Sequence, residues 1–419
     1  MIKTQSLALK KHDFLVLPSM IRYDTNIGVD HMNFIMRVKQ KYSLQEWLLL
    51  LPFICLSFPI YISVPVTLAE AIYLVSSHRF RESYKTIQKA HYVSVFCLLS
   101  LVLSLLYLNW FGIACSLYMM VIFILLVNFR HTITQDIFQK AIDIVIFCSI
   151  IWAILAFGQY LTFLHRLHYD HFVIKVFSNR KYRISSVFFN ANYYAMMIEF
   201  VFMMILYKVS MPTNKKRIPY YLLVTIINVA VLILSGTRTA WPAVIAGIFL
   251  FLIINKNYKW CSVFILSLIA VISYFVINYN KIPRIEYLIS NYSVRMKIWK
   301  AAFHAWKDSP WLGKGPMTYQ MIFQQYGGHP TQHAHSIYLD PLLSFGILGV
   351  ALILPYIANN IKQLYQLFRQ KKNQTLVAFI TGCVVITLLH GIFDYTVFFT
   401  HTGLLFVFIT GAFSIYQKQ

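Results

Sequence analysis

Residues 327–349 read GGHPTQHAHSIYLDPLLSFGILG. The stretch begins as a polar loop with three histidines, His329, His333 and His335, and runs on into apolar sequence. A histidine at the mouth of a membrane helix stands where a general base can meet a water-borne hydroxyl and a lipid-borne leaving group at once. Apolar runs near the ~20 residues that span a bilayer recur on both sides of it. The 419 residues are 58% hydrophobic and 12% charged, about half the charged share of a soluble domain. Mean hydropathy is +0.61. The expected fold class is all-α, a polytopic integral membrane helical bundle.

Charge refines this. The chain holds 37 basic and 14 acidic residues. Such an excess suits nucleic acid, an anionic membrane surface or an anionic substrate, and its placement decides among them. Lys/Arg clusters kept on the cytoplasmic side by the positive-inside rule divide the apolar sequence into about 12 transmembrane helices. Trp47–Val75, broken by Pro52, Pro59 and Pro65, reads as a tight hairpin of two short helices. Later runs include His91–Leu108, Phe111–Phe129, Ile137–Phe163, Trp260–Ile277 and Ser336–Ala358. The expected organisation is a basic cytoplasmic segment, 1–45, without the apolar core of a cleavable signal peptide. A single polytopic membrane domain, 46–416, follows, with outer loops 164–187 and 280–335.

Most of the basic excess is then ordinary cytoplasmic flanking charge, which leaves nucleic acid without support. The two outer loops break the rule. One holds Arg166, Lys175, Arg180, Lys181 and Arg183 against Asp170. The other holds Lys281, Arg284, Arg295, Lys297, Lys300, Lys307 and Lys314 against Glu286 and Asp308. A bound anionic substrate accounts for this, as does contact with anionic headgroups. The six cysteines all lie in apolar runs without a C-x-x-C pair and read as core residues.

Four motifs carry possible chemistry. Arg238, in Ser235-Gly236-Thr237-Arg238-Thr239-Ala240, lies between apolar runs. Its fork of donors suits phosphate oxygens, and snorkelling to the interface is the alternative. Arg183 precedes Asn190 and Asn192, where a loop becomes a helix and one asparagine could cap it. In Ser293–Asp308, Arg295, Trp299, Ala302 and Trp306 share one face of an amphipathic helix. Taken alone, that helix reads first as an anchor on the outer membrane surface. His333-Ala334-His335 has only Asp340 as a nearby carboxylate, so a general base is favoured over a metal, and no metal or cofactor is expected. Paired glycosidase carboxylates, a nucleotide-binding glycine loop and a nucleophile elbow are absent.

Together these motifs resemble the O-antigen ligase and polymerase superfamily of bacterial membrane glycosyltransferases. His335-Ser336, Gly346 and Gly349 match its His-[Asn/Ser/Gln]-x9-Gly-x2-Gly pattern. Pro310-Trp311-Leu312-Gly313-Lys314-Gly315 resembles its Pro-x-x-Gly-x-Gly turn, with Arg295 and Trp299 ahead of it. Ser235–Ala240 resembles its Ser-x-x-Arg segment, and Arg183 to Asn192 its Arg and Pro-Asn segment, with Ala191 where the family has proline. The resemblance covers roughly residues 180–400.

It implies metal-independent transfer of a glycan from undecaprenyl pyrophosphate to an acceptor hydroxyl, on the outer face of the bacterial cytoplasmic (inner) membrane. His335 would be the base, and Arg238 and Arg295, with Arg183, would hold the pyrophosphate. Arg180, Asn192 and Lys314 are further candidate substrate contacts, and Asp394 a candidate partner for one arginine. The expected partners are the lipid-linked oligosaccharide, an acceptor glycan or lipid, membrane lipids and other polysaccharide-assembly proteins. A polysaccharide polymerase is the first reading, an O-antigen ligase the second and a protein O-oligosaccharyltransferase the third. A flippase or transporter is the competing class, which would place ionisable residues near mid-membrane.

Overall fold

The computed structural model describes residues 43–177, 179–279 and 288–417. Nearly all of the expected 1–45 segment, Ser178 and residues 280–287 lie outside the described residues. Contacts divide the chain into Met1–Trp47 and Leu48–Gln419. In the first unit, Ser43 and Glu46 form a reciprocal capping box, Ser43 N–H donating to Glu46 Oε2 at 2.7 Å. The second unit contains both regions described below.

Among the described residues every long element is a helix and no strand occurs. The order is α1 (Leu44–Cys55), α2 (Ile60–Ser76), α3 (Arg79–Thr86), α4 (Ala90–Leu106), α5 (Trp110–Thr132), α6 (Gln135–Arg166), α7 (Ala191–Val209), α8 (Ile218–Ser235) and α9 (Ala240–Ile254). Then come α10 (Tyr258–Ile277), α11 (Leu288–Asp308), α12 (Thr318–Ile322), α13 (Leu339–Arg369), α14 (Gln374–His390) and α15 (Thr400–Gly411). The run Trp47–Val75, expected as a hairpin of two short helices, divides between two short helices, α1 and α2.

Helix starts follow local chemistry. Asn109 Oδ1 accepts Gly112 N–H at 2.8 Å to start α5. Asn190 Oδ1 accepts Asn192 N–H at 2.8 Å to start α7. Asn373 Oδ1 accepts Leu376 N–H at 3.0 Å to start α14. Helix α8 stops at Gly236, which adopts φ 63°.

The core is built around α7, where Ala195, Met196, Met197, Ile198, Phe200 and Val201 are all fully buried. Helices α9 and α14 meet closely because each has a glycine at the crossing. A Cβ on Gly247 would stand 3.2 Å from Gly382 O, and one on Gly382 3.1 Å from Gly247 O. This is the small-residue packing by which helices associate without a hydrophobic driving force. Helix α10 buries only Cys261 against the rest, and its exposed valines, isoleucines and leucines are those of a helix solvated by lipid.

Five described helices are long and apolar enough to cross a bilayer, α5, α6, α8 (extended from Lys215), α10 and α13, or six if the bent pair α2 and α3 forms one span. The chain is thus a helical membrane protein, but the expected count of about twelve spans is not reached. The reason is length. Helix α1 has 12 residues and rises roughly 18 Å, against roughly 30 Å of hydrocarbon. Helices α4, α9, α14 and α15 are also short and apolar.

The expected surface helix differs too. Helix α11 packs inward, with Ile298, Ala301, Ala302 and Ala305 buried against Tyr319, Ile322, Ala334 and Leu343 and both tryptophans partly covered. Its small residues allow this close seat and bring Arg295 beside the histidine loop.

Candidate active site

The histidine loop is held by a break in α13. Gly346 has φ 65° and ψ −176°, outside any helix. The break frees two backbone donors. Ile347 N–H donates to Pro310 O at 2.9 Å and Leu348 N–H to Trp311 O at 3.2 Å, while Gly315 N–H donates to Ser344 O at 2.9 Å. The Pro-x-x-Gly-x-Gly turn therefore serves as a plug that satisfies the broken helix. A Cβ on Gly346 would stand 2.3 Å from Trp311 O, and one on Gly313 2.2 Å from Ser344 O. The two glycine motifs are two halves of one joint.

Upstream of the joint, Asp340 accepts Ala334 N–H at 2.6 Å through Oδ2, and Ser344 Oγ donates to Asp340 Oδ1 at 3.2 Å. His335 follows with φ 47°, a left-handed conformation that costs about 1–3 kcal/mol at a non-glycine residue and needs a surrounding that imposes it. That surrounding includes His333 Nδ1, which accepts His335 N–H at 3.2 Å. It also includes Trp299, whose Nε1 donates to His335 O at 3.4 Å and whose ring stacks on Phe393 at 5.9 Å.

The His335 side chain lies between two partners. Nδ1 is 2.8 Å from Asp394 Oδ1, and Nε2 is 3.0 Å from Thr331 Oγ1. An ionised carboxylate only accepts, so Nδ1 carries the proton and Nε2 presents its lone pair, to which the Thr331 hydroxyl donates. Asp394 is 1% exposed. Burial alone would raise its pKa, but its pairing and hydrogen bond with His335, with His333 and Arg295 nearby, hold it well below the usual carboxylate range. Asp394 also accepts Tyr395 N–H at 2.9 Å and the Asn192 amide.

His333 is a different kind of histidine. Its Nδ1 is an acceptor, so Nε2 bears the hydrogen and faces the Tyr193 hydroxyl at 3.1 Å. Burial, with His335 and Arg295 nearby, pushes its pKa down to about 3. It is a neutral brace.

Asn192 links this pair to the arginines. Its Nδ2 donates to Asp394, and its Oδ1 accepts Arg183 Nη2 at 2.9 Å. Neither end can be reversed, because a carboxylate offers no donor and a guanidinium no acceptor. Arg183 further donates to Ser235 O at 2.7 Å and Thr237 Oγ1 at 2.7 Å, which ties it to the loop of Arg238. Asp394, expected as a partner for one arginine, is hydrogen-bonded to His335 and Asn192, and Asn192 in turn accepts from Arg183.

His335, Arg183, Arg238, Arg295 and Asn192 line one cavity of ≈ 1000 Å³, together with Arg166, Lys181, Thr237, Tyr292 and Phe393. Five cations face it, and among its described lining residues there is no carboxylate. Such a wall favours an anion. Arg166 and Lys181 belong to the basic excess of the loop 164–187 already counted in the sequence. Thr331, Thr237 and Phe393 carried no signal of their own.

Two expected contacts fall elsewhere. Lys314 is not among the lining residues, and its Nζ stands 5.4 Å from the Tyr107 ring centroid. Its backbone carbonyl accepts Asn109 Nδ2 at 3.1 Å, so its motif serves the joint. The backbone of Arg180 lies in a short turn, Arg180–Tyr182, and its side chain lies outside the described residues.

His333, His335 and Asp394 bring three ligand-type atoms within 4.8 Å of one another. These ligand types suit zinc or iron. Here His335 Nδ1 is engaged by Asp394 and His333 Nε2 by Tyr193, so the arrangement is already satisfied as a hydrogen-bonded dyad with a brace.

No curated protein matches the chain. Residues 222–354 match the family model described as O-Antigen ligase. This span includes Arg238, Arg295, the glycine turn, His335, Gly346 and Gly349, and leaves Arg183, Asn192 and Asp394 outside it. Over residues 222–354 the chain is thus similar to the O-antigen ligase family, which supports the resemblance to the O-antigen ligase and polymerase superfamily.

Proposed function

We propose that the chain is a polysaccharide polymerase that transfers a glycan from undecaprenyl pyrophosphate to a sugar hydroxyl, in capsule, exopolysaccharide or O-antigen assembly. The observation that carries this reading is one cavity whose wall joins the Nε2 lone pair of His335 to five cations without a carboxylate. The acceptor hydroxyl takes the place of the Thr331 hydroxyl at Nε2. Its oxygen attacks the anomeric carbon, its proton passes to Nε2, and the bond from that carbon to the pyrophosphate oxygen breaks. The electron pair leaves with the pyrophosphate. Asp394 stabilises the imidazolium that forms, while Arg183, Arg238 and Arg295 meet the growing negative charge. No step calls for a metal, so chelators should leave the rate unchanged.

The cavity is taken to open on the outer face of the bacterial inner membrane, with the short apolar helices completing about twelve crossings. The donor and membrane lipids are then its main partners, with other assembly proteins alongside. Ligation to lipid A core would use the same base and arginines, as would transfer to protein, and only the acceptor differs. The test is purified protein with a lipid-linked repeat unit, offered alone or with lipid A core. Ladders of increasing length from the repeat alone support polymerase action. Product only with lipid A core would replace it by a ligase, and no transfer to any acceptor would remove the glycosyltransferase reading.

A further inference from the structure

Helix α13 resumes beyond its break at Gly346 and carries Asn359 about thirteen residues later, roughly 20 Å along a helix and so toward the far side of a bilayer core. Helix α5 makes the same journey. Its cap, Asn109, donates to Pro316 O at 2.6 Å in the joint, and Arg130 stands at its other end. At that far end lies a second cleft of ≈ 520 Å³, with Asn359, Lys362, Gln363 and Gln366 on one side and Gln88 and Gln417 among the others.

Arg130 sits against this cleft and is 2% exposed. Its Nε donates to Ser414 Oγ at 2.9 Å, Nη1 to the Tyr356 hydroxyl at 2.8 Å and Asn360 Oδ1 at 3.0 Å, and Nη2 to Gln363 Oε1 at 3.4 Å. The guanidinium lies 4.7 Å from the Phe413 ring centroid, and Phe413 also lines the cleft. Every acceptor is neutral, and among the described residues no carboxylate pairs with Arg130. Arginine cannot shed its proton, so its buried charge is solvated by dipoles without a counter-charge.

A second observation points into the same place. Asn359 Nδ2 is buried with no hydrogen-bond partner among the described residues, although native structures leave few such donors unmet. Lys362 is the charged side chain among the described residues of the wall. A cleft with an unmet donor, a lysine and a buried guanidinium behind it lacks one component, an anion.

We propose that this cleft binds a phosphate group, supplied either by the headgroup of an anionic lipid in the adjacent leaflet or as free phosphate. Lys362 Nζ is its direct donor, rotation of the Asn359 side chain brings Nδ2 to the same anion, and Arg130 supplies the field that favours it. The amide of Gln366 lines the same cleft for the remaining headgroup hydroxyls, while that of Gln363 is held by Arg130, Gln417 and Gln88. The assignment is independent of the transfer reaction, because its residues lie at the other end of α13 and its test reads binding.

The full-length protein is placed in phosphatidylcholine nanodiscs, with and without phosphatidylglycerol, and its unfolding temperature and retained lipid are measured by thermal scan and native mass spectrometry. Phosphatidylglycerol should stabilise the protein and remain bound, and the Asn359→Leu/Lys362→Gln double variant should bind it at least ~10-fold more weakly, the loss expected for charge-assisted bonds. Titration of inorganic phosphate into phosphatidylcholine discs separates the sources: stabilisation there assigns free phosphate, and stabilisation by phosphatidylglycerol alone assigns the lipid. A Lys371→Gln/Lys372→Gln control should respond like the native chain. If the double variant fails to fold, Asn359→Asp decides, because it supplies an anion internally; it should unfold at a higher temperature in phosphatidylcholine and lose its response to both additives. No response to either additive by the native chain, or an equal response by the cleft variants, would overturn the proposal.

Discussion

Replacing Asp394 by asparagine tests the base assignment without emptying the site. The carboxylate offers an acceptor at each oxygen. Oδ1 takes the His335 Nδ1 proton at 2.8 Å and Tyr395 N–H at 2.9 Å, and Oδ2 takes the Asn192 amide. An asparagine keeps one acceptor and gains a donor. If its oxygen stays with His335 and Tyr395, its NH2 group meets that of Asn192, which must turn and then presents NH2 to Arg183. If its oxygen turns to Asn192, its NH2 faces His335 Nδ1 and drives the proton to Nε2, where no lone pair remains for the acceptor hydroxyl. Both outcomes also remove the negative charge that stabilises the imidazolium. Loss of a general base costs about 10²–10⁴ in rate, and the wrong-tautomer change in a Ser-His-Asp triad costs about 10⁴. Asp394→Asn should therefore slow turnover by ~10²–10⁴, or roughly 3–5 kcal/mol on the barrier. The assay is initial-rate transfer by purified protein with lipid-linked repeat units at matched folded concentration. A rate within about threefold of native would refute the argument that this carboxylate sets the state of His335.

Further expectations follow from other parts of the site. Arg238→Lys keeps the charge and loses the fork, so most transfer activity should disappear in the same assay; near-native activity would assign Arg238 to headgroup contact. Gly346→Ala places a Cβ 2.3 Å from Trp311 O at φ 65° and should lower the thermal midpoint clearly, whereas Gly327→Ala, with φ 62° but open space around it, should bear only the strain of about 1–2 kcal/mol; equal effects would show that the collision is relieved. His333 is held neutral with a folded pKa of about 3 against an ordinary 6.5. The unfolded chain therefore takes up a proton that the native chain refuses as pH falls from 6.5 toward 3, stability drops across that window, and His333→Gln should flatten the drop in unfolding scans.

Much of the site was legible because its chemistry is local in sequence. His335 announces itself at the head of an apolar run, and Arg183 and Arg238 as cations where a membrane chain avoids them. Their meeting required folding: the link from His335 through Asp394 and Asn192 to Arg183 crosses 59 and 202 positions between its first three members. Lys314 is counted with the basic residues of its loop, while its neighbouring glycines plug the helix break at Gly346 and its Nζ stands near the Tyr107 ring. The burial of α11 was written in Ala301, Ala302 and Ala305, which suit close packing better than a lipid surface. Hydropathy marks an apolar run, but proline and turn residues decide how long its helix becomes, as between α1 and α2. Asp394 reads in the sequence only as a candidate partner for one arginine, and its hydrogen bonds to His335 and Asn192 come from the fold.

The central claim is that the Nε2 lone pair of His335 takes the acceptor proton, and the most direct measurement is transfer by His335→Ala beside His333→Ala, with and without chelator. The account predicts loss of transfer by ~10²–10⁴ for His335→Ala, with donor binding retained through the arginines and the protein still folded, a milder loss for His333→Ala, and native rates unchanged by chelation. Full activity of His335→Ala would contradict the base assignment, and loss of native activity on chelation would turn His333, His335 and Asp394 into metal ligands.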